Sequence, residues 1–161
     1  MSGAADDRPA RPEDVDAICA ALPHTELGVT WGDMPTWLVS DPATKAKPRG
    51  FVGYRRPHGT AVDPTTGEPY DDLLVLHAAD QGAKLAVIEG DGPFFSVPHF
   101  DGHDGYLVQT SRLGEVTLAE LRELITESWL CCAPPKLVRA YPADQADRAD
   151  QADQMNGAED G

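Results

Sequence analysis

Thr117 and Glu120 open, and Pro134-Pro135 closes, a stretch in which Leu118, Leu121, Ile125 and Trp129 recur at helical spacing. The Thr and Glu form a capping box, and the proline pair forbids continuation. A helix with one apolar stripe must lay it on a second layer. The rest of the chain therefore has to supply that layer.

It does so mainly with short strands. A first helix begins at Pro12, with Glu13, Asp14 and Asp16 near the positive end of its dipole. Val15, Ile18, Cys19 and Leu22 form its stripe, and Pro23 ends it. A loop through Trp31 and Pro35 leads to strands over 36–39 and 51–55. Residues 56–71 hold Pro, Gly and Asp clusters and read as a long loop before a strand over 72–77. Asp80 caps a second helix running through Glu89, with Leu85 and Ile88 inward. Extended segments follow over 94–97 and 105–110, and residues 136–141 trail off after the last helix. The expected order is α-β-β-β-α-β-β-α. With hairpin-length connections it packs as an α+β two-layer sandwich, an antiparallel sheet with helices on one face.

Charge divides the 161 residues into three parts. Residues 1–11 balance at zero and read as a flexible leader. Residues 12–141, the expected single domain, carry nineteen acids and ten bases, a net of −9. Residues 142–161 carry six acids and one base, a net of −5. In that tail, residues 143–154 repeat Ala-Asp-Gln or Ala-Asp-Arg with a period of three. That period matches neither a helix stripe nor a strand face, so the expectation is disorder.

No run approaches the roughly 20 apolar residues of a membrane span, and the N-terminus has no apolar h-region. The expectation is a cytoplasmic monomer that avoids membranes. Cys19, Cys131 and Cys132 make no C-x-x-C pair and read as buried thiols. There is no nucleophile elbow, P-loop or Rossmann glycine pattern. No enzyme, cofactor or metal is expected.

Several segments resemble the MmcQ/YjbR family: Trp31-Gly-Asp-Met-Pro-Thr-Trp37, the strand from Phe51, Phe94-Phe-Ser-Val-Pro-His-Phe-Asp-Gly102, and Glu120 to Trp129 followed by Ala133-Pro-Pro-Lys136. The first helix fits as well. The resemblance covers roughly residues 12–139. It implies a small α+β fold, likened to secretion-chaperone-like sandwiches, with a double-wing motif and a DNA-binding label. It carries over no catalytic residue. The long 56–71 loop and the repeat tail depart from the compact family pattern.

Three residue sets are candidates for function. Lys45, Lys47, Arg49, Arg55 and Arg56 are half of the domain's ten bases, and Phe51 and Tyr54 lie between them. A hairpin there forms a basic wing whose cations take phosphates and whose aromatics stack on bases. The plain alternative is a solvated hairpin whose charges protect an edge strand. The net acidic body opposes DNA binding. The basic set is also complementary to the chain's own tail.

A second set, Trp31, Asp33, Trp37, His99, Phe100 and Asp101, reads as an aromatic groove for a protein partner or small ligand. Its bland counterpart is core aromatics under a loop. Thirdly, His99, Asp101, His103 and Asp104 are metal-type side chains. Pro98, Gly102 and Gly105 make their segment a turn rather than a preorganised site.

Overall fold

The computed structural model describes residues 7–29, 34–45, 47–55, 57, 59 and 61–141, without the side chain of His99. Trp31, Asp33, Arg56 and the tail 142–161 lie outside the described residues. Helix α1 spans Pro12–Ala21 and is followed by β1 (Thr25–Val29), β2 (Pro35–Val39), β3 (Arg49–Arg55) and β4 (Leu73–His77). Helix α2 (Gln81–Ile88), strand β5 (Gly105–Gln109) and helix α3 (Leu118–Cys132) complete the named elements. The five strands form one antiparallel sheet in the order β1-β2-β3-β4-β5.

The expected class holds, but the element order is α-β-β-β-β-α-β-α. Strand β1 lies where a loop was expected. It is a five-residue edge strand interrupted by Gly28, and it acquires its state by pairing Thr25–Val29 against β2. Residues 94–97 do not form a strand. Only Phe95 pairs, in a single bridge with Leu107.

Strand alternation sorts the side chains between two faces. Trp37, Val52, Leu74, Leu76, Tyr106 and Val108 join Val15, Leu121, Ile125 and Trp129 in the main core beneath the helices. The opposite face carries a smaller cluster of Ala61, Leu73 and Leu107, with Tyr70, Phe95 and Phe100 packed on it. The Tyr70 and Phe95 rings lie 5.2 Å apart. The 56–71 loop therefore has a structural task. Val62 bridges Pro69, Asp63 caps the turn through Thr65 N, and Gly67 takes the positive φ of 76° that closes it.

The helix signals read largely as expected. α1 starts at Pro12, and the N–H of Arg11 donates to Asp14 Oδ2 at 2.8 Å. In α2, Asp80 Oδ1 accepts from Ala83 N at 2.8 Å. The hydroxyl of Thr117 accepts from Glu120 N at 3.1 Å, starting α3. Leu85, expected inward, is exposed, while Ala83, Val87 and Ile88 pack on the core. Residues 135–141 are helical rather than trailing, because Leu137 is buried and Tyr141 packs against Trp129.

The part of the leader from residue 7 onward is also tied down. Ala10 is buried, its N–H donates to Val116 O, and Leu118 N donates to Arg8 O. Arg8 grips Asp14 with two bonds of 2.9 and 2.7 Å, holding that carboxyl below its ordinary pKa. Among the described residues, no helix is long and apolar enough to cross a membrane.

Candidate nucleic-acid interface

Strands β2 and β3 are joined by a loop that begins at Ser40, whose N–H donates to His24 O at 3.2 Å. Asp41 organises the turn. Its Oδ1 accepts from Ala43 N at 2.9 Å, and its carbonyl accepts from Thr44 N and Thr44 Oγ1, both at 3.2 Å. Asp41 is only 4% exposed. Lys45, Lys47 and Arg49 follow this turn, and all three are exposed. Arg49 pairs with Val39 and so opens β3 on the helix-covered side. Its positive charge reaches the end of α3, working with Cys131 and Cys132, and also His77. A cation there complements the negative end of the helix dipole.

The remaining described members of the expected basic wing, Phe51, Tyr54 and Arg55, do not join them. Phe51 has no exposed surface and belongs to the core, so it cannot stack on a base. A register shift at Trp37/Leu38 accompanies this inward turn of Phe51 beside Val52. Tyr54 is half-buried on the helix side, and its hydroxyl donates to Asp16 Oδ1 at 3.0 Å. Burial, followed by the charge of Asp16, pushes that phenol above its ordinary pKa. Arg55 ends β3, six residues from Arg49, about 20 Å at strand rise. Its guanidinium lies 5.0 Å from the centre of the Phe100 ring on the other face of the sheet. Arg56 lies outside the described residues.

The aromatic groove is divided by the sheet itself. Trp37 is buried on the helix side, where its indole N–H donates to Asp16 Oδ1 at 2.8 Å. Phe100 packs on the opposite face, and Asp101 is exposed beyond it. Trp31, Asp33 and the His99 side chain lie outside the described residues.

Lys84, which the sequence reading passed over, organises the His/Asp loop. It is 3% exposed, and its ammonium donates to Phe100 O at 2.8 Å and to His103 O at 2.7 Å. Gln81 Nε2 donates to Asp104 Oδ1 at 2.8 Å. The loop is thus built around a protein cation. Among the described residues, no group of three or more His, Cys, Asp or Glu could hold a metal ion. The available signal was a lone lysine four residues before Ile88, within an otherwise apolar stripe.

Replacing Lys84→Met keeps the length and leaves two carbonyls without their donor. The expected cost is about 2–4 kcal/mol by denaturant unfolding, with exchange protection lost across 98–104. An unchanged denaturation midpoint would contradict the clamp.

The cysteines offer no activated nucleophile. Burial pushes the Cys132 thiol up to about 11, Arg49 only partly offsetting it, and raises Cys19 and Cys131 as well.

With the geometry described, comparison with known proteins identifies the architecture. The fold is similar to that in the crystal structure of Deinococcus radiodurans protein DR2400, a domain of the DUF419 family model. The TM-score is 0.50 at 18% identity, covering 74% of this chain and 76% of the other. The two share a MmcQ/YjbR-like fold. No family model matches the chain.

Uncharacterized protein Rv2570 of Mycobacterium tuberculosis and uncharacterized protein Mb2600 of Mycobacterium bovis are each 43% identical to it over 77 residues. That stretch is 47% of this chain and 57% of each of those proteins, so the match spans little more than half of the relatives' length.

Proposed function

We propose that this protein is a non-enzymatic binding module of the MmcQ/YjbR type that grips the DNA backbone with the tip of its β2–β3 hairpin. One observation carries the reading. Lys45, Lys47 and Arg49 are exposed together at one tip, and among the described residues none of them enters an ion pair. Three cations elsewhere are engaged: Arg8 with Asp14, Arg112 with Glu115, and Lys84 in its buried clamp. The exposed Arg11, Lys136 and Arg139 are spread over two other segments. The likeness of fold and the ordered motifs support the family, whose label is DNA binding.

The chemistry of the tip sets what kind of binding this is. Three cations contact phosphates, and with Phe51 in the core no described aromatic of the set stacks on bases. Contacts of this kind position a protein on nucleic acid without reading sequence. The net charge of −9 over residues 12–141 keeps the affinity low. At physiological salt, however, screening over about 8 Å limits that repulsion to nearby carboxylates.

Fluorescence anisotropy with a labelled duplex tests this. Three phosphates neutralised give a log–log salt slope of about −2.7, roughly a forty-fold loss of affinity from about 50 to 200 mM salt. The triple variant Lys45→Glu, Lys47→Glu, Arg49→Glu loses binding at every salt, while Arg55→Glu changes it less than twofold. Undetectable binding of the unmodified protein at low salt would end the proposal.

A further inference from the structure

We infer that the acidic tail, residues 142–161, docks on the hairpin tip of its own chain and occupies the place of a phosphate backbone. Three contacts in series put the tail's point of departure at the end of the molecule that carries the tip. Tyr141, the last described residue, has its ring 5.1 Å from that of Trp129. The indole N–H of Trp129 donates to Pro23 O at 3.1 Å. His24, the next residue, accepts from Ser40 N at 3.2 Å, and Ser40 opens the loop bearing Lys45 and Lys47.

Charge then selects the landing place. The tail is −5 and has no apolar stripe to bury, so attachment is electrostatic. Apart from Lys136 and Arg139 at the tail's own root, the rest of the domain is net acidic and repels it. The tip concentrates three exposed cations within five residues. Asp144, Asp147, Asp150 and Asp153 present a carboxylate every three residues, beginning three residues after Tyr141. Twenty residues have a root-mean-square span of roughly 25 Å. Tethering at that length holds the carboxylates near the tip at an effective concentration in the millimolar range. Weak individual pairs then suffice for occupancy at low salt. Salt weakens tail and DNA at the same cations, so the tail acts as a competitor built into the chain. The competition rests on the DNA reading above; the docking does not.

Carbodiimide coupling of the full chain, read by mass spectrometry, tests the docking directly. The expected products are intramolecular amides from Lys45 or Lys47 to Asp144, Asp147, Asp150 or Asp153. Their yield is expected to fall at least about fivefold by 300 mM salt. Tail carboxylates coupled only to Lys136, or only between molecules, overturn the inference.

In parallel, the full-length variant Asp144→Asn, Asp147→Asn, Asp150→Asn, Asp153→Asn binds duplex about tenfold more tightly at low salt. If the amides form but neither chain binds duplex, the DNA reading fails and the docking stands. If duplex binds equally to both chains and no such amide forms, the docking fails and the DNA reading stands.

Discussion

Trp129→Ala is expected to remove about 3–5 kcal/mol of stability, the largest loss from any single substitution considered for this protein. The side chain has no exposed surface. It joins three parts of the fold: α3, the turn after α1 through the bond to Pro23 O, and the terminal helical segment through Tyr141. Alanine leaves a cavity against the rigid sheet and frees two of those attachments. Against a total of about 5–15 kcal/mol, this is a large fraction. With a urea m-value near 2 kcal/mol/M, the midpoint falls by about 2 M. Trp129→Phe retains most of the volume but loses the indole N–H, and is expected to cost about 1–2 kcal/mol. If the alanine variant lost less than 1 kcal/mol, the tie between α1, α3 and residues 135–141 would be refuted.

Ser128→Ala has the next largest expected effect, for a different reason. This hydroxyl, fully buried on α3, accepts from His77 N at 2.9 Å and donates to Phe51 O. It therefore stands between β3 and β4, in the line where their ladder of Tyr54↔Leu74 and Gly53↔Val75 would continue. Alanine leaves a buried N–H and a buried carbonyl without partners, an expected cost of about 2–4 kcal/mol. Native-state hydrogen exchange gives the sharper test, because the His77 amide should lose protection while that of Val75 keeps it. Full protection at His77 would mean that the strands close directly and the hydroxyl is dispensable.

Trp129 and Ser128, neighbours on one helix, differ in how far local pattern announces their roles. The α3 stripe, including Trp129, was legible because capping, spacing and the Pro134-Pro135 stop agree. Ser128 was not, since a serine within a helix has no pattern that announces a bond to a distant strand. β1 escaped notice for a related reason. Thr25-Glu-Leu-Gly-Val29 has little intrinsic preference, and its state comes from β2 alongside it.

The candidate site follows the same division. A concentration of bases at residues 45–56 was plain in the chain. Which of them lie together was not, because a strand of seven residues separates its ends by about 20 Å and alternates its faces. Arg49 and Arg55 are close in sequence and far apart in the fold. Trp37 and Phe100, grouped as one groove, lie on opposite sides of the sheet.

Local chemistry alone thus determined the α+β class, the helix starts at Pro12, Asp80 and Thr117, four of the five strands, and the separation of a basic segment from an acidic tail. Those features depend on periodicity, capping and charge count, all of which act within a few residues. Tertiary structure decided the rest: the β1 edge, the burial of Phe51, the Lys84 clamp and the separation of Phe51, Tyr54 and Arg55 from Lys45, Lys47 and Arg49 at the tip. Register and burial are set by partners distant in sequence, so no local pattern carries them.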